Sequence, residues 1–139
     1  MTGEEWHDLK EYVTQLESFA AELLRLSQEK HEALVSADIP RIERIMDSER
    51  GLLCVGASFM KVPRLVSESG LRRACEQAPD DMKEELDRAC ERIAMHFEDV
   101  RRINQSNMAF LRKALEYVAF MRKVSEDGTY RLPTTQKER

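Results

Sequence analysis

The chain has 139 residues, a net charge of −4 and 35% charged residues, but only 5 Gly and 4 Pro. This composition is typical of an all-helical protein, and the length suits one domain. No apolar run approaches the roughly 18 residues of a membrane span, and the acidic N-terminus lacks a secretory signal. The odd count of 3 Cys predicts free thiols. We therefore expect a cytoplasmic protein without stable membrane insertion.

Charge is distributed unevenly along the chain. Residues 1–100 have a balance of −9, whereas residues 101–139 have a balance of +5. Nucleic-acid binding is one interpretation of this basic end. A solvated flank beside an apolar stripe explains the spaced basic pairs, such as Arg112-Lys113 and Arg122-Lys123, equally well. We expect no nucleic-acid partner.

A first long helix is predicted over residues 4–36 by a 3,4 repeat. The repeat comprises Trp6, Leu9, Val13, Leu16, Ala20, Leu23, Ser27, Lys30 and Leu34. Its seam is apolar up to Leu23 and turns polar at Ser27 and Lys30. Such a repeat is typical of a helix that buries one stripe against partner helices.

A second long helix is predicted from Asp38, which can cap it, to about residue 61, with Pro40 in its first turn. The same repeat continues through Ile39, Ile42, Met46, Glu49, Leu53, Gly56 and Met60. The short link requires the two helices to run antiparallel. Lys30 and Glu49 both stand in the seam. A half-buried ion pair between them is conceivable, but two side chains that reach separately toward solvent are the preferred interpretation.

The last long helix is predicted over residues 80–127, since Asp80 or Asp81 can cap its start and Asp127-Gly128 is a stop signal. At about 1.5 Å per residue it would be near 70 Å long. Between the second and last long helices, Pro63 ends one element, and Ser67 or Ser69 can cap one short helix, residues 71–77.

These elements predict an all-α fold, an elongated antiparallel bundle of three long helices that resembles a coiled coil, with one short helix before the last long one. The bundle domain would comprise residues 1–127. Residues 128–139 are polar and are expected to form a flexible C-terminal tail.

Enzyme signatures are absent from the sequence. Paired Glu-x-x-His motifs, Gly-rich phosphate loops, GxSxG and HExxH do not occur, apart from a single Glu4-x-x-His7. Each of these motifs places reactive groups or ligands at a fixed spacing. We therefore predict no catalytic residues, no cofactor and no metal site, although a helical enzyme for a small ligand is kept as a remote alternative.

Two asparagines interrupt the last helix. Asn107 occupies the apolar stripe and Asn104 borders it, although Asn is a poor helix former. A polar side chain in a seam can fix register at some cost in stability. We interpret Asn104 and Asn107 as register residues. The alternative is that both face solvent where the bundle ends.

Beyond these asparagines the apolar surface of the helix widens. From residue 108 to 124 the apolar positions span roughly 240° around the axis, against about 100° between residues 86 and 100. One stripe (Phe110, Ala114, Tyr117, Met121, Val124) continues the seam, and a second (Met108, Leu111, Leu115, Val118) adjoins it, with Phe120 on the opposite flank. A three-helix bundle needs only one stripe, so the surplus predicts a partner site. Packing on the short helix or on a second copy is the alternative.

The chain resembles the FlgN-like flagellar export chaperones. The resemblance rests on Trp6 and Leu9, on Glu29-Lys30 and Leu34-Val35, and on Asp38, Ile42, Ile45, Glu49 and Leu52-Leu53. In the last helix and tail it rests on Ile103-Asn104-x-x-Asn107-x-x-x-Leu111, Leu115-x-Tyr117 and Thr129-Tyr130. The chain departs from the family pattern at Arg64, which is displaced behind Pro63, and in its short tail.

This resemblance implies a cytoplasmic, non-enzymatic chaperone of flagellar type III export. It would bind the C-terminal helical segments of hook–filament junction proteins and deliver them to the export gate. By position, the client-binding residues would be Met108, Phe110, Leu111, Leu115, Val118, Phe120 and Met121, and Tyr130 would dock at the gate. The alternative is a structural coiled-coil adaptor or self-assembling bundle. A homodimer of the client-free chain is also conceivable.

Overall fold

A computed structural model describes residues 3–59 and 61–127, with side chains for residues 3–56 and 61–127. Within these residues there are five helices and no strand. They are α1 (Gly3–Val35), α2 (Ile39–Phe59), α3 (Arg64–Ser69), α4 (Leu71–Glu76) and α5 (Asp80–Asp127). The all-α prediction is confirmed, and the bounds of α5 match the predicted ones. The arrangement of three long helices as one bundle stays a prediction.

A tight turn joins α1 to α2. The amide of Asp38 donates to the Ala33 carbonyl at 3.0 Å, and that of Ala37 donates to Leu34 at 3.2 Å. Ala37 adopts a left-handed φ of 56°, the conformation that commonly closes a helix C-terminus. The Asp38 carboxylate then accepts from the Arg41 amide at 3.2 Å. Asp38 therefore caps α2, as predicted.

An apolar cluster and a half-buried ion pair hold α1 and α2 together. The cluster is formed by Leu26, Ala33 and Ile45, with Ile42 and Leu52 packed against it. Lys30 Nζ lies 3.0 and 3.2 Å from the two carboxylate oxygens of Glu49, and the side chains are only 20% and 15% exposed. The preferred interpretation of two separately solvated side chains was therefore wrong. Two groups with so little access to water are better stabilised by each other.

The face of α2 that is buried is not the one that the sequence predicted. Ile39, Met46 and Leu53, which share the predicted stripe, are exposed, whereas Ile45, which lies off it, is buried. In a straight helix a seven-residue step falls about 20° short of two turns, so periodicity alone fixes the buried side loosely. The side of α2 that α1 covers is centred near Ile45 and Glu49.

Two short helices, rather than one, precede α5. Pro63, with φ −59°, precedes α3, and Gly70, with φ 88°, separates α3 from α4 without a side-chain cap. The prediction that Ser67 or Ser69 caps the short helix was wrong, because both lie inside α3 and the Ser69 hydroxyl donates to the Leu65 carbonyl at 2.8 Å. A six-residue helix is too short for its periodicity to be recognised.

A second apolar cluster joins the N-terminal half of α1 to α4 and to the start of α5. Its buried members are Leu9, Val13, Ala74, Cys75, Ala78, Leu86, Ala89 and Ile93. Arg92 on α5 donates to both carboxylate oxygens of Glu17 on α1, at 3.0 to 3.2 Å. These contacts tie helices that are distant in sequence.

Two thiols meet in this second cluster. The Sγ atoms of Cys75 and Cys90 are 3.0 Å apart, and both residues are free cysteines, as is the exposed Cys54. Burial raises the pKa of the Cys75 thiol well above its usual value, and the hydrogen bond with Cys90 raises it further. Cys75 is therefore held as a neutral thiol.

The chain divides into two compact units, Met1–Asn104 and Gln105–Arg139. Both clusters described above lie in the first unit. The single domain over residues 1–127 stays a prediction, and the predicted tail, residues 128–139, lies outside the described residues.

Candidate functional site

Residues 108–120 of α5 form a continuous exposed segment. Its large apolar side chains are between 43% and 68% exposed; they are Met108, Phe110, Leu111, Leu115, Tyr117, Val118 and Phe120. In the other unit, by contrast, α5 buries Leu86, Ala89, Ile93 and Val100. An apolar surface this dense is uncommon on a chain that needs no partner. We call these seven residues, together with Met121, the α5 apolar surface.

The surplus stripe of the sequence analysis lies in this surface. Met108, Leu111, Leu115 and Val118 are all exposed, as is Phe120, and Met121 is half-buried. The helical spacing places the four stripe residues along one side of α5, where a partner helix can contact them in succession.

The other apolar stripe, which the helical repeat alone assigned to the bundle seam, is also exposed in its first half. Phe110, which the resemblance assigned to client binding, and Tyr117, which was assigned only to the seam, are both exposed. A 33-residue α1 and a 21-residue α2 cannot cover a stripe that runs over the 48 residues of α5. Tyr117 was therefore missed as a candidate surface residue. The signal that could have found it is the difference in predicted helix lengths.

Basic side chains flank the α5 apolar surface. Arg112, Lys113, Arg122 and Lys123 are exposed, and none forms an ion pair with another described residue. Arg101, by contrast, donates to Glu98 on the same helix, and this hydrogen bond lowers the pKa of the Glu98 carboxyl. The four flanking cations thus remain available to an acidic partner.

Comparison with known proteins was decisive for the class of protein. The model of one family, described as FlgN protein, matches residues 1–132. The chain belongs to the FlgN family. FlgN proteins are a family of flagellar export chaperones, not known as enzymes. No curated protein and no solved structure matched the chain.

The FlgN match includes the predicted gate residue. Tyr130 falls within the matched range but lies outside the described residues, so its docking role stays a prediction. Asn104 and Asn107 also fall within this range, and the structure describes both.

Four polar side chains of this FlgN chain are buried or contain a buried polar atom. Ser27 and Asn107 are buried, at 0% and 2% exposure. The Ser27 hydroxyl, His96 Nδ1 and Asn104 Oδ1 are buried atoms without a hydrogen-bond partner among the described residues. Such groups cost free energy unless another benefit offsets them. A register role for Asn104 and Asn107 is consistent with this burial and stays a prediction. His96 also lies on α5, and it was assigned no metal-binding or catalytic role from the sequence.

An open groove lies between α1 and α2 in the first unit. Its volume is about 690 Å³, and its lining includes Gln15, Phe19, Leu52 and Val55. Arg25, the one cation among its described lining residues, already contacts Glu22 and Glu29 on its own helix. The groove is therefore an apolar recess rather than an arrangement of reactive groups.

Two kinds of feature are absent from the parts of the chain that the structure describes. No cluster of three or more His, Cys, Asp or Glu side chains is arranged to hold a metal ion. None of the described helices combines the length and the apolar character that crossing a membrane requires.

Proposed function

We propose that this FlgN protein is a cytoplasmic chaperone of flagellar type III export. It binds the C-terminal helical segments of hook–filament junction proteins on the α5 apolar surface and delivers them to the export gate. The observation that carries this proposal is the concentration of seven exposed large apolar side chains between residues 108 and 120. Covering such side chains removes apolar area from water at about 25 cal/mol per Å².

Recognition follows from the chemistry of this surface. An amphipathic client helix lays its apolar stripe along Leu111, Leu115 and Val118, so that side chains three and four residues apart interlock. Phe110, Tyr117 and Phe120 provide large aromatic contacts of the kind that dominate binding energy at interfaces. The unbranched Met108 adapts its shape, which suits a chaperone with more than one client.

The basic flank contributes to the rate and selectivity of association. Four cations that have no ion pair among the described residues, at positions 112, 113, 122 and 123, attract a client segment with acidic residues beside its apolar stripe. Because these charges are exposed, salt screens their effect over about 8 Å at physiological ionic strength. The association rate should therefore fall as salt rises, while the apolar contacts persist.

Co-purification with a client tests the surface. The C-terminal segment of a junction protein is co-expressed with the chain, and the Leu111→Asp/Val118→Asp variant is compared with wild type. We expect retention of the client to be lost, because two charges would be buried in the interface. Helicity by circular dichroism should be nearly unchanged, since both residues are exposed.

Met95→Asp is the matched control, since Met95 is also an exposed apolar residue of α5 but lies outside the α5 apolar surface. The control should retain the client. If the client is retained by the double variant, or is lost equally from the control, the assignment of the surface is wrong. A tight dimer of the wild type that the double variant dissociates would favour the structural adaptor instead.

Delivery is tested separately from binding. We propose that Tyr130 docks at the export gate, so removal of residues 128–139 should leave client co-purification intact and reduce export of the client. A Tyr130→Ala variant of the full chain should reproduce the export defect. Loss of client binding on truncation would contradict this division of roles.

A further inference from the structure

The second helix carries an apolar face that the described residues of the first unit leave exposed. Ile39, Met46 and Leu53 are 59%, 48% and 52% exposed. They are spaced seven residues apart, which places them along one side of the helix because seven residues make nearly two turns. We call these three residues the α2 stripe.

The α2 stripe is distinct from the face that packs on α1. Ile45 is buried against Leu26 and Ala33, and the Lys30–Glu49 ion pair lies on the same side. At 100° per residue, Met46 lies about 100° around the helix from Ile45. One side of α2 is therefore covered by α1, and an adjoining apolar side is free to receive another helix.

We propose that the α2 stripe is a self-association surface, on which the α2 helix of a second copy of this chain packs antiparallel. The stripe is symmetric about Met46, because Ile39 and Leu53 lie seven residues to either side. A two-fold axis through Met46 therefore brings the Ile39 of each copy against the Leu53 of the other. This is the self-complementarity that a two-fold interface requires.

Charged side chains along the edge of the α2 stripe favour the antiparallel direction. Glu43 and Arg50, both exposed, lie on one flank of the stripe, within about 20° of each other around the helix. In the antiparallel pair the Glu43 of each copy lies near the Arg50 of the other, which gives two opposite-charge contacts. In a parallel pair, the flanks that carry Glu43 and Arg50 in the two copies lie on opposite sides of the interface, so these opposite-charge contacts are absent and the antiparallel direction is favoured.

Arg50 already has a contact within its own helix. It forms an ion pair with Asp47, in which both side chains are more than 70% exposed. Exposed pairs of this kind contribute little to stability, so the Arg50 guanidinium can also donate to the Glu43 carboxylate of the second copy. The α2 stripe does not overlap the α5 apolar surface, so this inference does not depend on the proposed function.

Sedimentation equilibrium over a range of concentrations tests the proposal. The wild-type chain should show a monomer–dimer equilibrium, and Met46→Glu should weaken dimerisation at least tenfold, because it places two like charges on the two-fold axis. Val55→Glu is the matched control. Val55 is also exposed on α2, but at nine residues from Met46 it lies on the opposite side of the helix.

Charge exchange tests the direction of pairing. Glu43→Arg and Arg50→Glu should each weaken the dimer, because each replaces opposite charges with like charges across the interface. The double variant should restore dimerisation to near the wild-type level. Restoration would not occur if either residue acted only within its own chain.

Disulfide trapping tests the position of the axis. In a Cys54→Ser background, Met46→Cys should form an intermolecular disulfide on mild oxidation, whereas Val55→Cys should not. A monomeric wild type at all concentrations would overturn the proposal, as would a dimer that Met46→Glu leaves intact. If Met46→Glu instead abolishes client retention by a monomeric wild type, the α2 stripe binds the client and not a second copy.

Discussion

The Lys30–Glu49 pair shows how a charged residue can be accommodated in a helix seam. Both groups are mostly buried, and Nζ reaches both carboxylate oxygens. Removal of one partner leaves the other with little water and no counter-charge, which costs much more than the intact pair contributes. The pair therefore fixes the register of α1 on α2 more than it adds to their stability.

A double-mutant cycle measures this asymmetry. Lys30→Met or Glu49→Gln alone should lower the free energy of unfolding by about 1–3 kcal/mol. The double variant should lose less than the sum of the two, because neither charge is then left alone. Urea unfolding provides the measurement. Strictly additive losses would mean that the two groups do not interact in solution.

The Cys75 thiol makes stability depend on pH. Burial raises its pKa in the folded chain, whereas an unfolded cysteine has a pKa of about 8.5. The folded chain therefore holds this proton more tightly. The resulting stability is fully present below pH ~8.5 and declines at higher pH, where the unfolded chain ionises.

We expect urea midpoints to fall between about pH 8 and pH 10, and the fall to be smaller in Cys75→Ala. Comparison of the slopes separates this effect from the overall loss of stability that the substitution itself causes. Cys54→Ala is the control, since Cys54 is exposed. Equal slopes in wild type and Cys75→Ala would exclude a contribution from this thiol.

At the scale of elements, the residues that start or stop a helix determined how well each helix was predicted. Pro79 before α5 and Gly128 after it mark the bounds that the structure shows, and Asp38 marks the start of α2. The helix α3 was missed because six residues carry no recognisable period. The buried side of α2 was misassigned because periodicity predicts an apolar stripe but not the position of the partner helix.

For the candidate site, too, periodicity predicted an apolar stripe but not whether another helix covers it. The widening of the apolar arc after Asn107 was visible in the sequence, and the residues of the surplus stripe are exposed. Phe110 and Tyr117 lie in the same helical seam as Ile93 and Val100, so periodicity alone does not separate the exposed pair from the buried pair. The repeat is encoded residue by residue, whereas its burial depends on the length of the helices that pack on it.

The turn between α1 and α2 uses a residue that is poorly suited to it. Ala37 has a φ of 56°, a conformation that costs about 1–2 kcal/mol for residues with a Cβ. Ala37→Gly should therefore raise the free energy of unfolding by about 1 kcal/mol. The measurement is urea unfolding, with Ala21→Gly as a control inside α1, where the same change should destabilise by a similar amount. A destabilised Ala37→Gly would contradict the observed turn.

The two parts of α5 should differ in local stability. Residues 86–100 include four buried apolar side chains, whereas every residue from 108 to 120 is exposed. A helix without tertiary packing is only marginally stable in water. We expect amide hydrogens of residues 108–124 to exchange at least tenfold faster than those of residues 86–100. Addition of a client should slow exchange in the faster segment, and equal rates in the free chain would contradict this expectation.

For the whole molecule, stability and function should be carried by different leucines. Leu86 is 2% exposed and belongs to the cluster formed with α1 and α4, whereas Leu115 is 68% exposed. Leu86→Ala should cost about 2–5 kcal/mol of folding free energy, because it removes buried area and leaves a cavity. Leu115→Ala should change the free energy of folding by less than about 0.5 kcal/mol, yet weaken client binding by at least tenfold if Leu115 is an anchor of the interface.

Urea unfolding and calorimetric titration with the client segment measure the two effects. Leu86→Ala should bind the client normally at temperatures where it remains folded. If Leu115→Ala instead destabilises the chain as much as Leu86→Ala, then Leu115 is buried in solution, and the α5 apolar surface is not free to receive a partner.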